Sequence, residues 1–179
     1  VHSDIYEQFT DEFVRQVKKM KVGLPSDPET CFSPVALADS FFIFLDDALT
    51  KGAKQLFGGN RINYKGFKDE KGAYLQPTVI VIEEYKNAFD MFCIKEENFF
   101  PLLPIVRIKG SSDNAIFETM MHFANSNEYG LRTSVWAKSN LYIRKFVRYI
   151  NNSGLLRINS RHVDFSSYLS THGGTGKSG

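Results

Sequence analysis

Cys31 and Cys93 are the only thiols in the 179-residue sequence, and its histidines are His2, His122, His162 and His172. A cysteine nucleophile needs a depressed pKa or a neighbouring base, and a zinc site needs ligands at CxxC-like or helical spacing. None of these residues keeps such a spacing with another, so neither a metal centre nor a disulfide framework is expected. Both cysteines read as small buried hydrophobes. His162 and Asp164 are near enough in sequence to pair on a loop, where a solvated histidine is the simpler outcome. The run from Gly173 to Gly179 resembles a phosphate-binding loop, but the position that must hold its first glycine is Thr171.

The segment Lys95-Glu96-Glu97-Asn98-Phe99-Phe100-Pro101 carries more information. In extended backbone, successive side chains point to opposite sides. Glu96 and Glu97 therefore face opposite ways, and Glu97 shares its side with Phe99. A carboxylate beside an aromatic ring can accept hydrogen bonds from sugar hydroxyls while the ring packs on a heterocycle. On its own, an acidic pair before an apolar strand is more commonly explained as solvated surface.

The elements that must position these groups follow from periodicity. Ile5, Phe9, Phe13 and Val17 recur at helical spacing, and Gly23 and Pro25 end that helix. Ser33 is placed to cap a second helix, with Pro34 in its first turn, residues 35–49 as its body and Gly52 as its stop. Residues 54–57 and 78–82 read as strands around a glycine-bearing segment. Beyond them, a strand at 102–108, a helix at 113–124, a strand at 133–137, a helix at 141–150 and a strand at 155–158 spell βαβαβ. Helical connections of that length imply parallel neighbours with right-handed crossovers. Ile116, Met120 and Ala124, and Ile143, Val147 and Ile150, give each crossover helix one apolar stripe. The fold class is thus α/β, an open and mostly parallel sheet preceded by two helices.

Composition narrows the function classes. Hydrophobic residues make up 42% and aromatics 14%, enough for a packed core, and the net charge is only +2 with scattered basic residues. No footprint for nucleic acid is present. No apolar run approaches the ~20 residues of a membrane span, and a soluble, cytoplasmic protein is expected.

The order of short motifs is the strongest signal. Glu96-Glu97-Asn98-Phe99-Phe100-Pro101 is similar to the Glu-Glu-x-Phe-Gly-Pro motif of the aldehyde dehydrogenase superfamily. Its neighbours resemble that family's landmarks in sequence: 22–28 with Ser33-Pro34, Gly52-Ala53 with Gly58-Gly59, 76–80, Asn125 with Tyr129-Gly130-Leu131, Ser134-Val135, Gly154 with Ile158-Asn159, and Gly173-Gly174 with Ser178-Gly179. Together they cover nearly the whole sequence.

The resemblance implies that residues 1–179 are part of an aldehyde dehydrogenase catalytic domain, truncated at both ends and beginning just after the catalytic cysteine. In that family a cysteine thiolate adds to an aldehyde, NAD or NADP takes the hydride, and the thioester is hydrolysed. The parent would be a cytoplasmic oxidoreductase and a homo-oligomer, and the isolated segment would be inactive because the nucleophile lies upstream. The competing expectation is a non-catalytic relative that kept the fold as a binding or interaction module. By position, Glu97 resembles the glutamate that binds the nicotinamide ribose, and Phe99 the aromatic near the nicotinamide ring. Asn159 and residues 160–172 match the region that shapes the substrate funnel, with Phe165 and His172 as its candidate lining. Phe100 departs from the family's glycine, so a bulky side chain is expected to fill space near the cofactor. Thr171-His172 likewise replaces Pro-Phe.

Overall fold

The computed structural model describes residues 1–162 and 173–178, which form two compact units, 1–109 and 110–179. The first unit opens with a 3-10 turn, Ser3–Ile5, that leads into α1 (Tyr6–Val17). Its buried face is Tyr6, Thr10 and Val17, while Ile5 and Phe9 stay exposed. Tyr6 and Val17 of the expected stripe are thus buried, with Phe13 and Val14 packed against them, and only its Ile5–Phe9 part turns outward. β1 (Lys21–Val22) and β2 (Thr30–Phe32) pair in parallel. In β2, Thr30 and Phe32 are partly buried and Cys31 points outward. Cys31 is therefore exposed and not the buried hydrophobe expected, because alternation along a short strand with one partner leaves it to solvent.

α2 (Ala38–Thr50) starts later than the sequence suggested. Its N-cap is Leu37, with no side-chain cap, so Ser33 does not cap it. Five residues with Pro34 among them stay non-helical, in keeping with the extended bias of a residue that precedes proline. The predicted stop is found at Gly52, where φ is +97° and the amide donates to the Leu49 carbonyl oxygen (3.1 Å). Ala38, Phe41, Leu45 and Ala48 form the buried helical face.

The core of this unit is a three-stranded sheet. β3 (Lys54–Phe57) is followed by the small antiparallel pair β4 (Arg61–Ile62) and β5 (Tyr74–Leu75), and then by β6 (Thr78–Ile82). β6 lies between β3, to which it is antiparallel, and β7 (Leu102–Val106), to which it is parallel. All five residues of β6 are buried. Val79 and Val81 pack with Tyr6, Val17 and Ile105 on one face, and alternation turns Ile80 and Ile82 to the other. Each such fully buried aliphatic side chain contributes roughly 1.5–3 kcal/mol. A parallel pair requires a crossover. Here it is built from two one-turn helices, α3 (Tyr85–Ala88) and α4 (Phe92–Lys95), and the loop 96–101.

In the second unit, α5 (Asp113–Asn125) begins at Ser112, whose hydroxyl accepts from the Ala115 amide (3.3 Å). β8 (Tyr129–Gly130) and β9 (Arg132–Val135) follow, then α6 (Asn140–Tyr149), β10 (Leu155–Ile158) and β11 (Thr175–Gly176). β9 and β10 are parallel across α6, the βαβ crossover that the periodicity predicts. β7, in contrast, has β6 as its parallel partner and belongs to a different sheet from β9. The expected chain of three neighbouring strands is therefore replaced by two parallel pairs. The expected helix stripes hold in part: Ile116 and Ile150 are buried and Ala124 packs against the same cluster, whereas Val147 is about half exposed. Phe117 and Phe146 are buried beside them, and the Tyr142 ring packs against the cluster.

Candidate cofactor-facing loop

The loop 96–101 sits between α4 and the start of β7; Glu96 and Glu97 are both exposed, and burial alternates only from Glu97 onward. Glu96 at the end of α4 has φ −105° and ψ 157°. Glu97 and Phe99 are exposed, Phe99 by 72%, whereas Asn98 and Phe100 are partly buried. Glu97 and Phe99 are thus both exposed, two residues apart on one short loop.

The inward residues fasten the loop. Asn98 Oδ1 accepts from the Phe100 amide (3.0 Å), an Asx turn, and Asn98 Nδ2 donates to the Leu102 carbonyl oxygen (3.2 Å). Phe100 does not reach toward the side that carries Glu97. Its ring meets Phe44 (5.0 Å between centroids, 88° between planes) and Phe41 (5.8 Å, 89°) edge to face, the arrangement that ring quadrupoles favour. The bulk that replaces the glycine is thus packed on α2. The φ of Phe100 is not positive: among the described non-glycine residues only Asn159 has that conformation.

Both ends of the loop are held as well. The Phe92 amide, at the start of α4, donates to Asp47 Oδ2 (2.8 Å) and so satisfies one of the unpaired donors of a helix start. Lys51 Nζ pairs with Asp47 and donates to the Asp90 carbonyl oxygen (2.6 Å), and it lies over the Phe92 ring (4.9 Å). At the other end, the Pro101 carbonyl oxygen accepts from the Thr78 amide (2.8 Å). The Thr78 hydroxyl in turn accepts from Gly59 N (2.7 Å) and donates to Gln76 O (2.8 Å). The Gly58-Gly59 and 76–80 landmarks therefore meet at the strand next to the motif.

Sequence reasoning missed Asn98 and the α2 residues Phe41, Phe44, Asp47 and Lys51. An asparagine two residues before a turn amide is a readable Asx signal. The contacts from α2 to this region carry no local signal, because they join positions 39 or more residues apart in the chain.

Neither cysteine has the surroundings of a nucleophile. Burial, with Asp47 nearby, pushes the Cys93 thiol up to about 11. Cys31 is exposed, and its Sγ lies 3.8 Å from the Glu29 carbonyl oxygen.

In the second unit the Asn159 side chain closes the β9–β10 pair. Its Oδ1 accepts from the Ala137 amide and its Nδ2 donates to the Ala137 carbonyl oxygen, both at 2.9 Å. Asn159 takes φ +49°, a conformation that asparagine tolerates better than most residues. Burial, then Arg132 and Arg157, lower the pKa of His162, and Arg132 donates to the His162 carbonyl oxygen (3.1 Å). Asp164, Phe165 and His172 lie outside the described residues.

Known proteins share both the sequence pattern and the fold. The model of the aldehyde dehydrogenase family matches residues 1–179. A 3,6-anhydro-alpha-L-galactose dehydrogenase of Vibrio sp. (strain EJY3) is 30% identical over 165 residues, which is 90% of this chain and 32% of the relative. A succinate-semialdehyde dehydrogenase [NADP(+)] of Mycobacterium avium (strain 104) is 31% identical over 168 residues, 92% of this chain and 32% of its own length. The solved glyceraldehyde-3-phosphate dehydrogenase of Methanocaldococcus jannaschii DSM 2661, complexed with NADP, superposes with a TM-score of 0.80 at 28% identity, over 99% of this chain and 35% of that one. The chain thus spans about a third of the length of these relatives. By sequence and by fold, it belongs to the aldehyde dehydrogenase family.

Proposed function

We propose that residues 1–179 form the cofactor-facing wall of an NAD(P)-dependent aldehyde dehydrogenase that oxidises an aldehyde to a carboxylic acid through a cysteine thioester. The observation that carries this is the side-by-side exposure of Glu97 and Phe99 on a loop fastened from within. The pair suits NAD or NADP: the carboxylate offers two acceptor oxygens to ribose hydroxyls, and the open phenyl face offers a packing surface to a flat ring. When bound, the cofactor supplies the hydride acceptor. Glu97 binds and orients, and Phe99 packs and excludes water. The NADP-dependent relatives support the choice of cofactor.

The nucleophile belongs upstream of Val1 in this proposal. The buried thiol of Cys93 supports that placing. Phe165 and His172 are proposed to line the substrate funnel, in a cytoplasmic homo-oligomer.

The test is Glu97→Gln in the intact parent enzyme. The amide keeps the shape but loses the charge and one acceptor atom, so cofactor affinity or hydride transfer should fall roughly tenfold, with the melting temperature unchanged. Wild-type turnover and cofactor affinity in this variant would make Glu97 a solvated surface residue.

A further inference from the structure

We propose that Phe100 and Asn98 are positioning residues that fix how Glu97 and Phe99 are presented, a proposal that rests on the cofactor role assigned to that pair above. The loop is an alternating series in which every second side chain is an anchor. Asn98 ties its own turn to the first residue of β7 through two hydrogen bonds, 3.0 and 3.2 Å long. Phe100 seats its ring against Phe41 and Phe44 of α2, and Phe41 is itself fully buried. The outward pair has no such fastening of its own: Phe99 is 72% exposed. Its direction is set by the inward residues on either side.

The anchors matter because cofactor affinity depends on how much freedom is lost when the site is engaged. A glycine at position 100 would have neither ring contact and more conformational freedom to surrender. Phenylalanine at this position transfers that ordering from the binding step to the folded state. Asp47, acting through the Phe92 amide, fixes the entry to the same loop.

The experiment measures binding of NADH and NADPH, by nicotinamide fluorescence, and steady-state kinetics in the intact parent enzyme. The panel is Phe100→Gly, Phe100→Leu, Asn98→Ala, Asn98→Asp and Glu97→Gln, with circular dichroism to confirm folding. Phe100→Gly and Asn98→Ala should each weaken cofactor binding roughly fivefold and raise the cofactor KM in step, leaving the aldehyde KM unchanged. Phe100→Leu, which keeps bulk against α2, and Asn98→Asp, which keeps the acceptor for the Phe100 amide, should recover most of the loss. Wild-type cofactor binding in Phe100→Gly and Asn98→Ala, alongside a defect in Glu97→Gln, would overturn the positioning role and leave the site assignment standing. A wild-type Glu97→Gln would overturn the site assignment and this proposal together. Equal losses in cofactor and aldehyde KM, unrelieved in Phe100→Leu and Asn98→Asp, would mark a general folding defect and also overturn it. Should Phe100→Gly not fold, the Asn98 pair decides the question by the same criteria.

Discussion

The motif loop of the first unit and the glycine junction of the second are both held in place, but by opposite means. Around Glu97, side chains do the fastening: the Asn98 amide group, the Phe100 ring and the Asp47 carboxylate. Around Tyr129-Gly130, close backbone approaches do most of it, with the Asn127, Asn152 and Thr175 side chains bonded beside them. The Gly154 amide donates to the Gly130 carbonyl oxygen (2.8 Å), β11 pairs antiparallel with β8, and a Cβ at Gly154 would run into the Gly173 carbonyl and Gly174. Three sequence landmarks spread over 130–174 thus converge on one junction with no room for a Cβ at Gly130, Gly154 or Gly174. Glycine advertises such a junction in the sequence, because no other residue fits. An aromatic anchor such as Phe100 on α2 advertises nothing, since several residue types can fill the same space.

This contrast sets the scale of the expected mutational effects. Gly154→Val forces a side chain into backbone atoms that cannot rotate away, and a loss of about 3 kcal/mol is expected, the upper end for overpacking. Urea unfolding of the variant checks it. A variant as stable as wild type would show that the junction has slack, and the distinction between the two regions would fail.

A smaller effect is expected at the polar brace of the first unit. The buried Tyr6 hydroxyl donates to Glu83 Oε1 (3.0 Å), and Arg107 contacts Glu83 and Glu7 (3.2 Å each) while lying over the Tyr6 ring. Partial burial pushes the Glu83 carboxyl up, but the Tyr6 hydroxyl and Arg107 outweigh it and hold the group below the usual carboxylate range. Its contribution to stability is thus present above that range and lost as the pH falls through the lowered folded value. Burial and the bond to Glu83 raise the Tyr6 pKa, so that contribution holds below the usual tyrosine range and is lost as the pH rises through the folded value. Tyr6→Phe should cost about 1–2 kcal/mol near neutrality. The slope of stability against pH on the acid side should flatten, as thermal melts between neutral and acid pH will read. An unchanged slope would show that Glu83 gains nothing from Tyr6.

The smallest effect separates the two cysteines. Iodoacetamide at neutral pH should label exposed Cys31 and spare Cys93, whose thiol burial holds at about 11, until the protein unfolds. Rapid labelling of native Cys93, read by mass spectrometry of peptides, would contradict its inert role.

Much of this architecture was legible. Long periodic helices such as 113–124, the apolar run 78–82 and the β9–β10 pair across α6 follow from local pattern. The one-turn helices α3 and α4 were not, because segments so short are stabilised by tertiary contacts such as Asp47 to the Phe92 amide. The parallel partner of β7 was also hidden, since pairing is decided by packing between strands and not by either strand alone. The exposure of Cys31 depended on which way a three-residue strand faced. In the site, extended geometry led to the expectation that Glu97 and Phe99 share a side, and both are exposed, while their roles came from resemblance. Asn98 was legible in principle as an Asx turn, and the α2 platform was not.

The central claim is that Glu97 and Phe99 are presented to a nicotinamide cofactor. The most direct measurement is a crystal structure of the intact parent enzyme with NAD or NADP bound. The account predicts a Glu97 carboxylate oxygen within about 2.6–3.2 Å of a ribose hydroxyl, with Phe99 packed against the nicotinamide end and Phe100 still seated on Phe41 and Phe44. A bound cofactor that leaves Glu97 and Phe99 in open solvent would contradict it.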